Sequence, residues 1–289
     1  MVLDADLAEA TKTVKFKKAH PERFFDCGIA EGNMISVAAG FAAAGKMAFA
    51  SSFAMFAAGR AFEQVRNSIG YPHLNVKIGA THAGITVGED GATHQCLEDI
   101  ALMRTIPGMT IINPSDAVEA RAAVEAAMQF NGPCYMRFGR AAIEVFNDNP
   151  DYKFELGRGV TLREGKDVTL VATGYMVPLA RQAAETLAAE GIDARVINIH
   201  TIKPIDKDII IKAASETGAI VTAEEHNVIG GLGGAVSEVV CEACPVPVIR
   251  VGVEDKFGKS GKVAPLLEEY GLTAENIVAK AKAAIALKK

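Results

Sequence analysis

Residues 76–80, VKIGA, run directly into residues 81–95, THAGITVGEDGATHQ, and this junction decides the fold class. The first stretch is a short apolar run with two β-branched residues, which predicts a buried strand. The second holds two histidines, two acids and three glycines, too many polar groups for a segment inside a core. A buried strand that ends in a polar loop is typical of a parallel sheet, where ligands bind beyond the carboxyl ends of the strands.

Short apolar runs alternate with amphipathic segments on both sides of this junction. In the first half the pattern predicts strands at 24–27, 47–50, 76–80, 110–113 and 134–138, and helices at 34–44, 53–68, 97–104 and 117–129. In the second half it predicts strands at 168–172, 194–198, 219–222 and 248–251, and helices at 179–190 and 206–216. Such alternation favours parallel sheets covered by helices. We therefore predict an α/β protein of two successive domains, each a largely parallel sheet flanked by helices.

The boundary between the two sets lies at residues 147–151, NDNPD, a polar stretch rich in turn-forming residues. We predict a first domain over residues 1–147, a linker over 148–156 and a second domain over 157–289. At roughly 150 residues per domain, a chain of 289 residues agrees with two domains.

Composition excludes several classes of function. The 30 basic and 35 acidic residues give a net charge of −5, without the Lys/Arg tract typical of proteins that bind nucleic acid or anionic membranes. The longest charge-free apolar stretches, 32–45 and 47–59, are shorter than the ~20 residues that span a bilayer. The first residues lack the basic region of a signal peptide. We expect a cytoplasmic protein that binds neither nucleic acid nor membrane.

The five cysteines do not predict a metal site. Cys241 and Cys244 form a C-x-x-C pair, but a structural zinc site needs four ligands and no second pair follows. The glycine run at 230–234 partly resembles a dinucleotide-binding loop, yet the last glycine of that motif would fall on Val236. Close helix–strand packing is the favoured use of these glycines.

Three groups of residues in the first half are candidates for a site. Glu31 lies at a strand-to-helix turn, where it faces the ligand crevice or simply favours the helix dipole. Phe53 and Phe56, spaced i and i+3, suit core packing or a platform for a stacked ring. In the polar loop, two histidines separated by Asp90 indicate proton handling on a hydroxylated substrate.

These residues, with SSFAMF at 51–56, NPSD at 113–116 and RFGR at 137–140, resemble the pyrimidine-binding domain of transketolase. GEDGATHQ at 88–95 is the most specific part of the match. The second half resembles the transketolase C-terminal domain. The resemblance covers nearly the whole chain.

Full-length transketolases also carry a Gly-Asp-Gly motif in an amino-terminal domain that holds the metal and the cofactor diphosphate, and no Gly-Asp-Gly occurs here. The resemblance thus implies the C-terminal subunit of a two-subunit transketolase. Its partner would be an N-terminal subunit carrying that motif, in a heterotetramer in which this chain also pairs with itself. The cofactor would be thiamine diphosphate, with Mg²⁺ or another divalent cation held mainly by the partner.

The implied reaction transfers a two-carbon ketol unit from a ketose phosphate such as xylulose 5-phosphate to an aldose phosphate such as ribose 5-phosphate, as in the pentose phosphate pathway. The resemblance implies that Glu31 is catalytic and hydrogen-bonds the pyrimidine N1′, and that Phe53 and Phe56 stack on the pyrimidine ring. It places His82, Asp90 and His94 around the sugar, both histidines being catalytic, and Arg140 on its phosphate, with Arg137 as a second candidate.

The sequence departs from the family at two positions. Gly59 replaces a third aromatic, which predicts a stacking pocket that is looser or filled by the partner. Ala10 replaces a serine that contacts the sugar phosphate, and the chain is expected to start later than related subunits. Thr11, Lys12 and Thr13 are candidates for replacement donors.

Two other enzymes share this domain: deoxyxylulose-phosphate synthase and the β-subunit of 2-oxo acid dehydrogenases. His82 and Glu89 favour transketolase over the synthase, and the spacing of the two histidines argues against a β-subunit. A non-catalytic scaffold subunit is a further alternative, although it would have no use for the intact set of Glu31, His82, Asp90 and His94.

Overall fold

The computed structural model describes residues 1–149 and 152–288, so positions 150 and 151 of the predicted linker lie outside the described residues. The strands are β1 Val2–Asp4, β2 Phe24–Asp26, β3 Ala48–Phe53, β4 Val76–Thr81, β5 Thr110–Ile112, β6 Cys134–Arg137, β7 Val160–Arg163, β8 Val168–Ala172, β9 Ala194–Asn198, β10 Thr201–Lys203, β11 Ile220–Asn227 and β12 Val248–Val253. The α-helices are α1 Ala8–Thr11, α2 Val14–Ala19, α3 Glu31–Ala43, α4 Phe62–Gln64, α5 Asp99–Arg104, α6 Ala117–Gln129, α7 Met176–Ala189, α8 Lys207–Thr217, α9 Leu232–Ala243, α10 Val263–Glu269 and α11 Ala274–Ala286.

The strands form two sheets, and both are largely parallel as predicted. The first has the order β10-β5-β6-β4-β3-β1-β2, in which only β10 runs antiparallel to its neighbour. The second has the order β12-β11-β8-β9-β7, with β7 antiparallel at its edge. Helices flank each sheet, so the α/β fold class is confirmed.

Strand β10 lies after the predicted boundary yet pairs with β5 of the first sheet. The two halves of the chain are therefore joined by a shared sheet edge as well as by their connecting segment. The exact limits of the two domains stay a prediction.

Apolar helix faces pack against the sheets. In α3, Met34, Ile35, Ala38 and Ala39 are buried at the spacing of one helical face. Helix α6 begins where the Asp116 side chain accepts a hydrogen bond from a backbone N–H in the first turn.

The sequence prediction was wrong about the segment 53–68. Phe53 is the last residue of β3, where it pairs in register with Thr81, and it does not start a helix. The chain then continues as two π-helical turns, Met55–Arg60 and Val65–Gly70, on either side of α4. Strands β1, β7 and β10, which are three or four residues long, were not predicted.

The glycine run before α9 is used for packing around Glu224. The Glu224 carboxylate accepts hydrogen bonds from the backbone N–H groups of Leu232 and Gly233 at 2.6 and 2.8 Å. A side chain at Gly231 would overlap that carboxylate.

Of the described helices, none is long and apolar enough to cross a membrane.

Candidate active site

The predicted site residues of the first half meet at the carboxyl ends of neighbouring strands. Phe53 ends β3, and His82 directly follows the paired end of β4. Their rings stack with centroids 3.9 Å apart and an interplanar angle of 20°. Phe56 lies 6.0 Å from Phe53 in a nearly parallel orientation, and the centroid of the His94 ring lies 5.3 Å from that of Phe56 with the two ring planes at 75°. The neighbouring ends of β3 and β4, with the loop that follows β4, thus bring His82 and His94 to the pair of phenylalanine rings.

Glu31 is the first residue of α3, and only 1% of it is exposed. Its Oε2 accepts a hydrogen bond from Arg60 Nη1 at 2.7 Å, and the Arg60 side chain is 51% exposed. The Arg60 guanidinium also lies 4.5 Å from the centroid of the Phe56 ring. The buried Glu31 carboxylate, next to the aromatic rings, is therefore paired with a half-exposed Arg60 guanidinium.

Gly59 does not leave the gap that its sequence position suggested. The end of the Met55 side chain occupies the place where a Cβ at residue 59 would lie. Together with Arg60 over Phe56, this chain's own side chains fill the region. The expectation of a looser stacking pocket, or one filled by the partner, stays a prediction.

His82 is held in an unusual environment. Its backbone has a φ of 57°, which costs free energy for a residue other than glycine and is concentrated at functional sites. Burial, reinforced by the charges of Arg140 and Lys12 and opposed by Asp90, lowers the pKa of His82 to about 4. The imidazole is consequently neutral at pH 7. Its Nδ1 lies 3.0 Å from the Thr81 hydroxyl.

Asp90 and Arg140 face each other across the open side of the loop. Arg140 Nη1 lies 3.8 Å from Asp90 Oδ2, and both side chains are nearly half exposed. The same Nη1 donates to the Val87 carbonyl at 2.5 Å. This arrangement leaves a guanidinium free to bind an anion beside the carboxylate.

Arg137 cannot act as the second phosphate ligand that the sequence suggested. Its side chain is 3% exposed, and its Nε donates to Asp99 at 2.9 Å. Its Nη2 donates to the Glu225 carbonyl at 2.9 Å. The guanidinium is committed to the junction between the two sheets.

The threonines near the amino terminus are also engaged. Thr11 and Thr13 both donate their hydroxyl protons to Asp4 Oδ2, at 2.7 and 2.8 Å. Lys12, between them, is exposed and has a left-handed backbone with φ of 67°. Of the three replacement donors considered, only Lys12 keeps free protons to offer.

One supporting residue, Glu225, was missed by sequence reasoning. It lies on β11, and its Oε1 accepts a hydrogen bond from the backbone N–H of Thr86, 139 residues away, at 2.6 Å. The signal was present in the sequence, because Glu224, Glu225 and His226 directly continue a run of strand residues that is otherwise apolar. All three side chains are buried.

The residues present fit the pyrimidine half of a thiamine cofactor. A buried carboxylate at a helix start and two parallel rings offer a hydrogen-bonding group and a stacking surface side by side. Within residues 1–149 and 152–288, no group of three or more His, Cys, Asp or Glu side chains is arranged to hold a metal ion.

Comparison with protein families gives two matches that cover most of the chain. Residues 1–145 match the model of the transketolase pyrimidine-binding domain. Residues 157–277 match the model of the transketolase C-terminal domain.

Individual relatives of similar length include subunits of sugar transketolases. A 6-deoxy-6-sulfo-D-fructose transketolase subunit, SqwH, of Clostridium sp. is 48% identical over 279 residues, covering 96% of this chain and 86% of the relative. An apulose-4-phosphate transketolase subunit of Phocaeicola vulgatus is 42% identical over 262 residues, covering 91% and 84%. A solved structure described as a split gene transketolase, inactive beta4 tetramer, is 55% identical with a TM-score of 0.93, covering 100% of this chain and 93% of that one.

Proposed function

The chain belongs to the transketolase family, and from this premise we propose that it is the C-terminal subunit of a two-chain, thiamine-diphosphate-dependent transketolase. Residues 1–147 would form the pyrimidine-binding domain and residues 157–289 the C-terminal domain, joined by 148–156. The observation that carries the proposal is the buried Glu31 beside the parallel rings of Phe53 and Phe56.

Thiamine diphosphate would supply, when bound, a nucleophilic carbon that adds to the ketose carbonyl and a thiazolium ring that takes up the electron pair of the breaking C–C bond. Glu31 would hydrogen-bond the pyrimidine N1′, and its burial strengthens that contact by excluding water. Phe53 and Phe56 would stack on the pyrimidine ring. The sequence has no Gly-Asp-Gly motif, so the partner subunit would hold the diphosphate and a divalent cation such as Mg²⁺.

Around the sugar, each residue of the loop has a distinct proposed task. His94, whose ring packs at a steep angle against Phe56, would accept and return the proton of the sugar hydroxyl next to the breaking C–C bond. His82, neutral at pH 7, would donate or accept a hydrogen bond without adding charge. Asp90 would bind another hydroxyl, and Arg140 would bind the terminal phosphate through two of its N–H groups.

The proposed reaction transfers a ketol unit from xylulose 5-phosphate to ribose 5-phosphate in the cytoplasmic pentose phosphate pathway. A second candidate is a ketose that ends in a sulfonate. A relative at 48% identity is named for 6-deoxy-6-sulfo-D-fructose, and this chain carries Ala10 where a phosphate-binding hydroxyl was expected. Arg140 suits either anion because its N–H groups bind planar pairs of oxygens.

Reconstitution tests the proposal. The chain should be purified alone and together with an N-terminal subunit that contains Gly-Asp-Gly, at equal concentrations with thiamine diphosphate and Mg²⁺. We expect ketol transfer only from the mixture, and cofactor binding at least tenfold weaker by the chain alone. That a 55% identical split transketolase is described as an inactive tetramer of one subunit type supports this expectation. Full activity of the chain alone would contradict the two-chain assignment.

The same mixture distinguishes the alternatives. Formation of deoxyxylulose 5-phosphate from pyruvate and glyceraldehyde 3-phosphate would favour the synthase, and transfer of an acyl group to a lipoyl domain would favour the dehydrogenase β-subunit. Activity that survives Glu31→Ala would show that the catalytic glutamate lies elsewhere and that this chain acts as a scaffold.

A further inference from the structure

Glu225 reaches from the second sheet into the substrate loop of the first. Its carboxylate accepts the Thr86 backbone N–H at 2.6 Å, and 2% of the residue is exposed. Gly84, two residues before Thr86, has a φ of 86°, and a Cβ there would overlap the carboxyl group. The close approach of loop and carboxylate therefore depends on a residue without a side chain.

The bond to Thr86 is one end of a short connection to the site. Val87 follows directly, and its carbonyl accepts a hydrogen bond from Arg140 Nη1 at 2.5 Å. Arg140 in turn faces Asp90 at 3.8 Å. Two consecutive residues thus link the buried Glu225 carboxylate to the exposed guanidinium.

We propose that Glu225 is a positioning residue for the substrate site: by holding residues 86 and 87 it orients Arg140 toward the anionic end of the sugar. The contact between Glu225 and Thr86 is argued from the geometry alone, whereas its effect on sugar binding rests on the proposed function of Arg140. The C-terminal domain then has a direct task at the site formed by the first domain. Misplacement of a binding group by about 1 Å lowers catalytic efficiency substantially.

The charges around Glu225 make the contact sensitive to pH. Arg137 on β6 attracts the carboxylate, while Asp99 on α5 repels it and Tyr175 lies nearby before α7. Burial outweighs the attraction of Arg137 and raises the pKa of Glu225 to about 6. The ionised carboxylate is the stronger acceptor, so the hold on Thr86 strengthens as pH rises through about 6.

The contact is tested first in the wild-type chain, without substrate or partner. In ¹H–¹⁵N spectra recorded between pH 5 and 8, the Thr86 amide proton should move downfield with a midpoint near 6. Glu225→Gln keeps the shape of the side chain and should abolish this titration. A Thr86 amide shift at pH 8 that is the same in the wild type and in Glu225→Gln would overturn the proposal, and this result does not depend on the enzymatic assignment.

The effect on the site is tested in the reconstituted two-chain enzyme. The measured quantity is the KM for xylulose 5-phosphate divided by the KM for hydroxypyruvate, which has no phosphate. Glu225→Gln should raise this ratio roughly three- to tenfold at pH 7.5, as expected for indirect displacement of one charged ligand. Comparing variant and wild type at one pH cancels the ionisation of the sugar phosphate itself, whose second pKa is also near 6.

Two further variants make the result specific. Glu224→Gln is the matched control, because its buried carboxylate lies on the same strand but binds the start of α9 instead of the substrate loop. It should leave the ratio unchanged. Arg140→Ala shows how far the KM ratio rises when the proposed phosphate ligand is removed altogether. If the KM ratio rises in Arg140→Ala but not in Glu225→Gln, the positioning role of Glu225 is overturned. If the KM ratio is unchanged in Arg140→Ala while the Thr86 titration is intact, the proposed role of Arg140 is contradicted.

Discussion

Arg60 binds Glu31 through a hydrogen bond of 2.7 Å between Nη1 and Oε2, and no family pattern in the sequence indicated this pair. Arg60 directly follows Gly59, the position of the missing third aromatic, and its guanidinium lies 4.5 Å from the centroid of the Phe56 ring. A cation over an aromatic face is attracted to it. Because Arg60 is half exposed, it can leave Glu31 without unfolding its surroundings when a cofactor ring needs the carboxyl group.

Glu31→Gln should stop cofactor activation while leaving the fold intact. Glutamine keeps the size of the side chain but cannot share a proton with the pyrimidine N1′ as a carboxyl group does. Exchange of the thiazolium C2 proton of thiamine diphosphate, followed by NMR in the reconstituted enzyme, should slow by orders of magnitude. Glu63→Gln, at an exposed glutamate of α4, is the control and should exchange at the wild-type rate. Unchanged exchange in Glu31→Gln would reduce Glu31 to a residue that favours the helix dipole.

Arg60→Met should destabilise the chain because it leaves a buried carboxylate without its partner. We expect a loss of about 1–2 kcal/mol in the free energy of unfolding, toward the low end of the range for an unpaired buried group because water can reach the half-exposed side of the pair. Urea unfolding at fixed protein concentration measures it. The double variant Glu31→Gln/Arg60→Met should recover most of the loss, and additive losses would show that the two side chains do not interact.

His82 should titrate far below an ordinary histidine. Its ¹H–¹³C signals should show a midpoint near 4, since burial is the main cause that lowers its pKa. The native state favours the neutral ring, so this group contributes stability above pH 6.5 that is lost as pH falls from 6.5 through 4. Phe53→Ala removes the ring stacked on His82 and should move the midpoint upward. Phe154→Ala, which removes a ring beside His200 instead, should leave it in place.

Sequence reasoning succeeded where a site depends on local order and failed where it depends on distant partners. The polar loop after β4 and the position of Glu31 at a helix start were visible because strand, turn and helix signals lie within a few residues of each other. Phe53 was predicted to lie in a helix because an aromatic pair spaced i and i+3 suits both a helix and the end of a strand. Only the pairing of Phe53 with Thr81 in the sheet shows that Phe53 belongs to a strand. The bond from Thr86 to Glu225 joins residues 139 positions apart, which no periodicity can reveal.

Asp90→Asn and His94→Ala should lower turnover or sugar selectivity while leaving cofactor affinity within about twofold. Asp90 is nearly half exposed beside Arg140. The His94 ring packs at steep angles against Phe53 and Phe56 instead of lying parallel to them, so it is not part of the surface on which the pyrimidine would stack. Steady-state kinetics with several donors and calorimetric titration of thiamine diphosphate separate the two properties. Glu89→Gln, at the exposed neighbour of Asp90, is the control. Loss of cofactor affinity with turnover preserved at saturation would contradict these roles.

Lys12 and Arg140 should together carry the recognition of the sugar phosphate. The hydroxyl protons of Thr11 and Thr13 are already donated to Asp4, which fixes the backbone on both sides of Lys12 in its left-handed conformation. A charge-assisted hydrogen bond contributes about 1.5–3 kcal/mol, so Arg140→Ala should raise the KM for phosphorylated sugars at least tenfold and leave that for hydroxypyruvate nearly unchanged. Lys12→Met should have a smaller effect of the same selectivity, and because Lys12 is exposed the effect should shrink as salt increases from 0.05 to 0.5 M. Lys15→Met, at an exposed lysine of α2, is the matched control. Equal changes for phosphorylated and unphosphorylated donors in Arg140→Ala would show that Arg140 supports the loop through Val87 rather than binding the phosphate.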